Sequence, residues 1–205
     1  MKYGIMPKVM WFAFRQSYKK AVQSVMPEEN ASRVMKKAHH HYREILADVD
    51  EFDKGSRFAF NIYSCAMLSA VILNLNRKYD VETMRIYYRT AMDNKIMRSF
   101  AKKSSAYTEK GRDALKAAAL RSQTINNPYD WKFTIEDGQT INQYTATFTI
   151  CGICTLMNKL GIGKYVPAMC TFDYDMAAMN NTKFSREFTL ASGGPYCDCH
   201  YDHQV

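Results

Sequence analysis

The sequence predicts an α+β fold, in which an N-terminal helical half precedes a hairpin–helices–hairpin unit that forms one antiparallel sheet. Apolar residues recur at the 3.6-residue spacing of helices up to about residue 124. After the segment NNPYD (126–130) they alternate as in strands, over residues 131–150 and again over residues 183–203. The chain has 205 residues, 47% hydrophobic and 23% charged, and is expected to form a single domain. Within that domain, residues 1–205, the mainly helical part is 1–124 and the α+β part is 125–205.

Two helices are predicted at the N-terminus. The first begins at Pro7, a residue that suits the first turn of a helix, and its apolar spacing continues to Met26. The second follows Pro27, where the acidic Glu28 and Glu29 favour a helix start, and it extends to about residue 49.

The third predicted helix is the most apolar segment of the chain. Residues 58–76 contain no charged side chain over 19 positions, about the length that spans a bilayer. However, the segment contains Asn61, Ser64, Ser69, Asn74 and Asn76 and continues directly into the charged sequence RKYD. These polar groups favour a buried helix of a soluble domain over a membrane span.

The helical half ends with two further predicted helices. Asp80 is placed to cap the start of a fourth helix over residues 81–103. A basic, alanine-rich fifth helix follows over residues 109–123.

In the α+β part, residues 131–150 predict a β-hairpin with its turn at Asp137-Gly138. Two short helices are expected over residues 151–161 and 165–181, separated by glycines 161 and 163. Residues 183–194 and 195–203 then read as a second pair of strands, joined at Gly193-Gly194.

The composition limits the class of partner only loosely. The net charge of +8 suits an anionic ligand, RNA or an acidic membrane surface. Because Lys and Arg are spread over many helices with acidic residues between them, no nucleic-acid partner and no membrane partner is expected. The N-terminus lacks the apolar core of a signal peptide, and six cysteines without one indicate thiols in the reducing cytoplasm.

The cysteine pairs in the C-terminal half are compatible with two kinds of site, a metal site and a redox site. A Cys-x-x-Cys pair, a Cys-x-Cys pair, one further cysteine and one histidine would supply soft ligands, namely Cys151, Cys154, Cys197, Cys199, Cys170 and His200. The first pair falls where a strand meets a helix and has no second Cys-x-x-Cys partner, so no cofactor is expected, with zinc as the minor alternative. A redox pair of the thioredoxin kind is not favoured, because the sequence has no βαβ pattern.

Two other groups favour structural roles. Cys65, within the apolar third helix, is expected to be a small core residue. The consecutive residues His39, His40 and His41 point about 100° apart on a helix and therefore cannot share one metal, so a solvated or partly buried helix face is expected.

The segment MCTFDYD contains the most informative pair. Cys170 and Asp173 are three residues apart and lie on one helix face, where they can point into a pocket or pair locally. In the final strand, alternation places Cys197 and Cys199 on one face, and Asp198 on the other with His200. Arg186 is the best nearby cation for a substrate carboxylate, with a surface ion pair as the alternative.

The C-terminal third, clearest over residues 145–202, resembles the L-2-amino-thiazoline-4-carboxylic acid hydrolase family. The resemblance depends on the order and spacing of four motifs: a cysteine-containing helix over 151–161, Pro167-x-x-Cys170-x-x-Asp173, Thr189-Leu190-Ala191-x-Gly193, and Cys197-Asp198. It implies hydrolysis of a cyclic amidine-like ring to an N-carbamoyl-cysteine-type product. In that reaction water adds to the ring carbon between nitrogen and sulfur, and the thiolate leaves.

The resemblance also implies roles for individual residues. Asp173 would hold the amidine or the water, with Asp198 as the alternative acid, and Arg186 would bind the substrate carboxylate. Cys170 and Cys197 would line the pocket, and covalent catalysis by either is the open alternative. Cys199 stands where the family usually has an aromatic residue, which predicts a larger pocket and a changed substrate.

Two alternative hypotheses place the protein in other functional classes. The first is a non-catalytic small-molecule-binding or sensor module, which would show tight binding without product. The second is a cysteine-ligated metal protein, which metal analysis would decide. An exposed sheet edge or face would also support a homodimer.

Overall fold

A computed structural model describes residues 1–53, 55–102 and 105–204 and confirms the α+β class. The helices are α1 (Ile5–Val25), α2 (Ala31–Ala47), α3 (Ala59–Ile72), α4 (Val81–Met92), α5 (Lys95–Ala101), α6 (Glu109–Ser122), α7 (Gly152–Lys159), α8 (Val166–Cys170) and α9 (Phe172–Met179). The strands are β1 (Lys132–Asp137), β2 (Gln143–Ile150), β3 (Thr182–Ser185) and β4 (Cys197–His203). Short 3₁₀ turns occupy Gly163–Tyr165 and Leu190–Ser192.

The fourth predicted helix begins as expected but is divided in two. The Asp80 side chain accepts a hydrogen bond from the Thr83 N–H at 2.7 Å, which confirms its role as the cap of α4. The prediction of one helix over 81–103 is wrong, because the Asn94 side chain accepts hydrogen bonds from the N–H groups of Ile96 and Met97 and starts α5. Lys103, the last residue of that prediction, lies outside the described residues.

The four strands form one antiparallel sheet in the order β1-β2-β4-β3. The last two strands of the chain are therefore paired, as expected, but their connection is not a tight hairpin. Strand β3 ends at Ser185, and residues 186–196 form a loop that contains the Leu190–Ser192 turn. The predicted strand over 183–194 is thus too long, and Arg186 lies just beyond the end of β3 rather than inside a strand.

The first hairpin also has a longer connection than predicted. β1 ends at Asp137 and β2 starts at Gln143, so residues 138–142 form the loop. The buried Arg112 of α6 donates hydrogen bonds to the Asp137 carboxylate and to the carbonyls of Ile141 and Gln143. This guanidinium satisfies loop carbonyls that a two-residue turn would not have exposed.

The predicted apolar helix is the centre of the core. In α3 the side chains of Cys65, Met67 and Leu68 are fully buried, and the core cluster around them includes residues of α1, α2, α4, α7 and α8. Cys65 in α3 is a free thiol with no exposed surface, as expected for a core residue. No helix in the described ranges is long and apolar enough to span a bilayer.

The three consecutive histidines of α2 differ in their contacts. His39 stacks on Trp11 at 4.5 Å between ring centroids and shares a hydrogen bond with the Tyr3 hydroxyl. His40 and His41 lie 3.2 and 3.9 Å from the two oxygens of the Glu44 carboxylate, and the His41 ring also contacts the Asn74 amide. They therefore point apart along a partly exposed face, as the helical spacing predicts.

Candidate active site

A cavity of about 340 Å³ lies between the inner face of the sheet and helices α3, α4, α5 and α9. Its charged lining comes from helix α9 and the segment after β3, and strand β4 adds two thiols. Helix α3 supplies both polar and aromatic side chains, and α5 and the β1–β2 hairpin supply further aromatic rings. Of the site residues predicted from the sequence, the cavity brings together Asp173, Cys170, Cys197, Arg186 and Cys199.

An ion pair between Asp173 and Arg186 is the charged centre of this cavity. An Arg186 nitrogen lies 2.8 Å from Asp173 Oδ2, and a second donates to the Cys170 carbonyl at 2.5 Å. The Arg186 side chain is 6% exposed, with its guanidinium 5.3 Å from the ring centres of both Tyr174 and Phe184. In the described part of the chain, no other charged side chain lines the cavity.

The Asp173 carboxylate is accessible from the cavity, and 49% of its side chain is exposed. Burial raises the pKa of Asp173, and the positive charge and hydrogen bond of Arg186 oppose that rise. Within the described residues, Oδ2 accepts from Arg186 and Oδ1 makes no hydrogen bond. This arrangement provides a carboxylate oxygen of increased basicity that faces a ligand-sized space.

Cys170 and Asp173 occupy one wall, as their spacing predicts. Cys170 is the last residue of α8 and Asp173 the second residue of α9, and Thr171 between them keeps helical backbone angles. The two helices therefore maintain the i, i+3 relation. Burial raises the pKa of the Cys170 thiol, and the negative charge of Asp173 adds to the rise.

Cys197 and Cys199 enter the cavity from the inner face of β4. Cys197 pairs with Phe148 of β2 and Cys199 pairs with Ala146. The two cysteines and Ala146 form a small buried cluster. Burial raises the pKa of Cys197 and raises the pKa of Cys199 to about 12, so both are protonated thiols at neutral pH. Cys197 Sγ also accepts from the Leu190 N–H at 3.2 Å, which fixes the 3₁₀ turn after β3.

Asp198 does not line the cavity, in agreement with the alternation of β4. Its carboxylate accepts hydrogen bonds from the N–H groups of Glu187 and Phe188, at 3.0 and 2.6 Å, and lies 3.2 Å from His200 Nε2. Burial acts to raise the pKa of Asp198, but these backbone donors outweigh burial and lower it. The geometry makes Asp198 an anchor of the segment that follows Arg186.

The Cys-x-x-Cys pair lies at the start of α7, where Cys151 is the residue before the helix and also lines the cavity. The neighbouring Cys154 thiol lowers the pKa of Cys151, and the backbone N–H groups of Cys154 and Ile153 add to this effect against burial. Cys151 is thus the most acidic cavity thiol, a role that the sequence did not assign to it.

The prediction lacks several polar residues of the cavity. Asn61 and Ser64 of α3 both line it, and the Ser64 hydroxyl shares a hydrogen bond of 3.0 Å with the Tyr88 hydroxyl of α4. Their spacing was the available signal, because Asn61 and Ser64 are three residues apart in an otherwise apolar helix and therefore share a face.

The proposed ligands of a soft metal do not converge. His200 lies on the outer face of the sheet, where it contacts Thr145 and Asp198 rather than the cysteines. In residues 1–53, 55–102 and 105–204, no group of three or more His, Cys, Asp or Glu side chains is arranged to hold a metal ion.

Comparison with known proteins supports the family resemblance over more of the chain than its C-terminal motifs. The sequence model of the L-2-amino-thiazoline-4-carboxylic acid hydrolase family matches residues 59–201. This range starts at α3 and ends within β4, so it includes every helix and strand that contributes to the cavity. No curated protein and no solved structure matches the chain. The match covers more than half of the sequence, and the chain belongs to the L-2-amino-thiazoline-4-carboxylic acid hydrolase family.

Proposed function

We propose that this protein hydrolyses L-2-amino-thiazoline-4-carboxylate or a related cyclic amidine to an N-carbamoyl-cysteine-type product. The family membership supports a hydrolase, and one observation carries the assignment to this site: the Asp173–Arg186 ion pair within a ligand-sized cavity. The substrate is a zwitterion, with a protonated amidine and a carboxylate. Its two charges match those of the pair, so that the amidine faces Asp173 and the carboxylate faces Arg186.

The reaction balances with water as the only co-reactant. Water oxygen forms a bond to the ring carbon between nitrogen and sulfur, and gives a tetrahedral intermediate. Collapse of that intermediate forms the C=O bond of the product and breaks the C–S bond, with the electron pair leaving on sulfur. The first proton of water, taken by the base, is returned to the thiolate, which yields the free thiol of the product. The second, the hydroxyl proton of the intermediate, is released to solvent as the C=O bond forms, because the amidine nitrogen already carries its proton.

Asp173 is the proposed base for this water. Its raised pKa makes the carboxylate a better proton acceptor than an ordinary aspartate, and Oδ1 is the oxygen not used by Arg186. Arg186 holds Asp173 in place and supplies positive charge for the substrate carboxylate. Asn61 adds a side-chain amide to the same cavity, suited to hydrogen bonding with the ring or its exocyclic nitrogen.

Activated water is preferred over covalent catalysis by Cys170 or Cys197. Both thiols have raised pKa values, so the thiolate needed for attack is scarce at neutral pH. In this proposal they form the wall of the pocket together with Cys199. If a cysteine does attack the ring, Cys151 is the one whose pKa favours it.

The test is incubation of the purified protein with L-2-amino-thiazoline-4-carboxylate, with N-carbamoyl-cysteine followed by mass spectrometry and free thiol by colorimetry. Asp173→Asn is expected to lower turnover at least ~100-fold, as the loss of a general base does. The matched control is Asp175→Asn, also on α9, where the carboxylate pairs with Arg89 outside this cavity. The control is expected to retain activity.

The outcomes separate the proposal from its alternatives. Product that disappears in Asp173→Asn but not in Asp175→Asn supports the reaction and the role of the carboxylate. Activity that survives in Asp173→Asn removes this residue from the mechanism. Tight binding of the substrate without product would favour a binding module, and metal that co-purifies in stoichiometric amount would favour the metal protein.

A further inference from the structure

The cavity has more apolar wall than a single small ring needs. Pockets of roughly 300–1,000 Å³ hold drug-sized ligands, and this cavity, of about 340 Å³, falls within that range. In the proposed function, a thiazoline ring with one amino group and one carboxylate binds beside Asp173 and Arg186. The remaining space is lined by uncharged side chains.

That remaining wall is aromatic. Phe58 stacks on Trp131 at 4.7 Å between ring centroids and meets Phe148 edge-on at 6.2 Å. Phe60 stacks on Phe100 at 5.5 Å. All five rings line the cavity. Aromatic faces and edges of this kind favour planar apolar groups.

The adjoining apolar side chains are adaptable. Met92, Met97 and Met176 also line the cavity, and their unbranched thioethers fit irregular ligands with little strain. Phe100 is 55% exposed although it stacks on Phe60, so it lies on the rim, between the cavity and solvent. At a cavity rim, this exposed ring offers apolar surface that a substituent of a bound ligand can cover.

We propose that the physiological substrate carries an aromatic or bulky aliphatic substituent on the cyclic amidine, and that this substituent packs against Phe60 and Phe100. This inference rests on the proposed function for the orientation of the ring. The polar pair binds the amidine and the carboxylate, whereas the aromatic wall selects the substituent and excludes water around it.

The experiment compares 2-amino-thiazoline-4-carboxylate with its 5-phenyl and N-benzyl derivatives. Turnover is measured as kcat/KM. Binding is measured by calorimetry on analogues of the same compounds in which methylene replaces the ring sulfur. In these analogues a C–C bond stands in place of the C–S bond, and water does not cleave it. At least one substituted compound is expected to exceed the unsubstituted one by ~10-fold or more in kcat/KM and affinity.

Two variants connect that preference to the wall. Phe100→Ala removes a rim ring, and is expected to reduce the preference for the substituted over the unsubstituted compound at least ~5-fold. The matched control is Phe12→Ala, a ring on α1 that is 58% exposed and does not line the cavity. The control is expected to leave all values unchanged.

The results distinguish this inference from the proposed function. Efficient hydrolysis of the unsubstituted compound, with no gain from either substituent, overturns the inference and leaves the function intact. Tighter binding of a substituted analogue that weakens in Phe100→Ala, without turnover of any compound, supports the aromatic wall and contradicts the hydrolase. A preference that survives Phe100→Ala overturns the assignment of the substituent to this wall.

Discussion

Replacement of Arg186 by Met removes the positive charge of the cavity while keeping a long apolar side chain. Arg186 donates to Asp173 Oδ2 and to the Cys170 carbonyl, and its side chain is only 6% exposed. The substitution therefore separates the contribution of the guanidinium from that of the stem. Arg186→Lys keeps the charge, but a single ammonium lacks the planar fork that reaches both partners.

The expected loss of stability is the sum of two interactions of the guanidinium. Removing the hydrogen bond to the Cys170 carbonyl costs ~1 kcal/mol, and leaving that carbonyl without a donor adds to the cost. The ion pair adds about 1 kcal/mol or less, since 49% of the Asp173 side chain is exposed and solvent screens the charges. We therefore expect the free energy of unfolding to fall by ~2 kcal/mol in Arg186→Met.

The pH dependence of activity gives a second and more specific readout. Burial raises the pKa of Asp173 and Arg186 opposes the rise, so removing Arg186 raises this pKa further. A base is active only when deprotonated, and kcat/KM therefore falls as the pH drops through the pKa of Asp173. The acidic limb of the profile should lie above the ordinary aspartate value near ~3.9, move to higher pH in Arg186→Met, and move less in Arg186→Lys.

The assay combines denaturant unfolding with kcat/KM across the acidic and neutral pH range. Arg89→Met is the matched control, because Arg89 forms an ion pair with Asp175 but is itself 65% exposed. It should change the unfolding free energy by less than ~1 kcal/mol and leave the pH profile in place. An acidic limb that stays fixed in Arg186→Met would refute Asp173 as the titrating base.

Three further predictions concern the surroundings of the site. A Cβ at Gly152 would lie 1.9 Å from the Tyr129 carbonyl oxygen, so Gly152→Ala should displace α7 and lower the unfolding free energy by ~2 kcal/mol, measured by denaturant titration. Asp198→Ala leaves two backbone N–H groups without acceptors and should also cost ~2 kcal/mol. Cys151 should react with iodoacetamide faster than the other cavity cysteines, followed by peptide mass spectrometry, because its pKa is lowered and theirs are raised.

The controls for these three follow from the same structure. A Cβ at Gly4 meets only the Lys2 carbonyl at 3.9 Å, so Gly4→Ala should be close to neutral. The stability from Asp198 is present above the unfolded pKa near ~3.9 and is lost as the pH falls through its lowered folded pKa. Wild-type and Asp198→Ala stabilities should therefore converge in acid, and a constant difference would contradict the anchor role. Faster alkylation of Cys170 than of Cys151 would contradict the assigned acidity.

Features set by local periodicity were predictable from the sequence. The spacing of Cys170 and Asp173 placed both on one wall, and alternation in β4 separated Cys197 and Cys199 from Asp198. The apolar run around Cys65 became the central helix of the core. In each case the deciding quantity is a helical or strand repeat, which acts over a few residues.

Features that depend on competition or on distant contacts were not predictable in the same way. A new helix starts at Asn94 because its side chain accepts hydrogen bonds from two backbone N–H groups, although the apolar pattern continues past it. The partner of Arg186 depends on how the loop after β3 folds back. The aromatic wall joins Phe58, Phe100 and Phe148, residues separated by up to 90 positions, and no local repeat relates them.

The consecutive residues Cys197 and Asp198 show how one short strand supports both sides of the site. Because neighbouring side chains of a strand point to opposite faces, Cys197 lies in the cavity and Asp198 lies behind it. Cys197 accepts the Leu190 N–H, and Asp198 accepts the N–H groups of Glu187 and Phe188, so both residues hold the loop that starts at Arg186. A change at Asp198 is therefore expected to reach Asp173 indirectly, by displacing Arg186. In that case Asp198→Ala should shift the acidic limb of kcat/KM in the same direction as Arg186→Met, by a smaller amount, whereas Asp202→Ala on the same strand face should not.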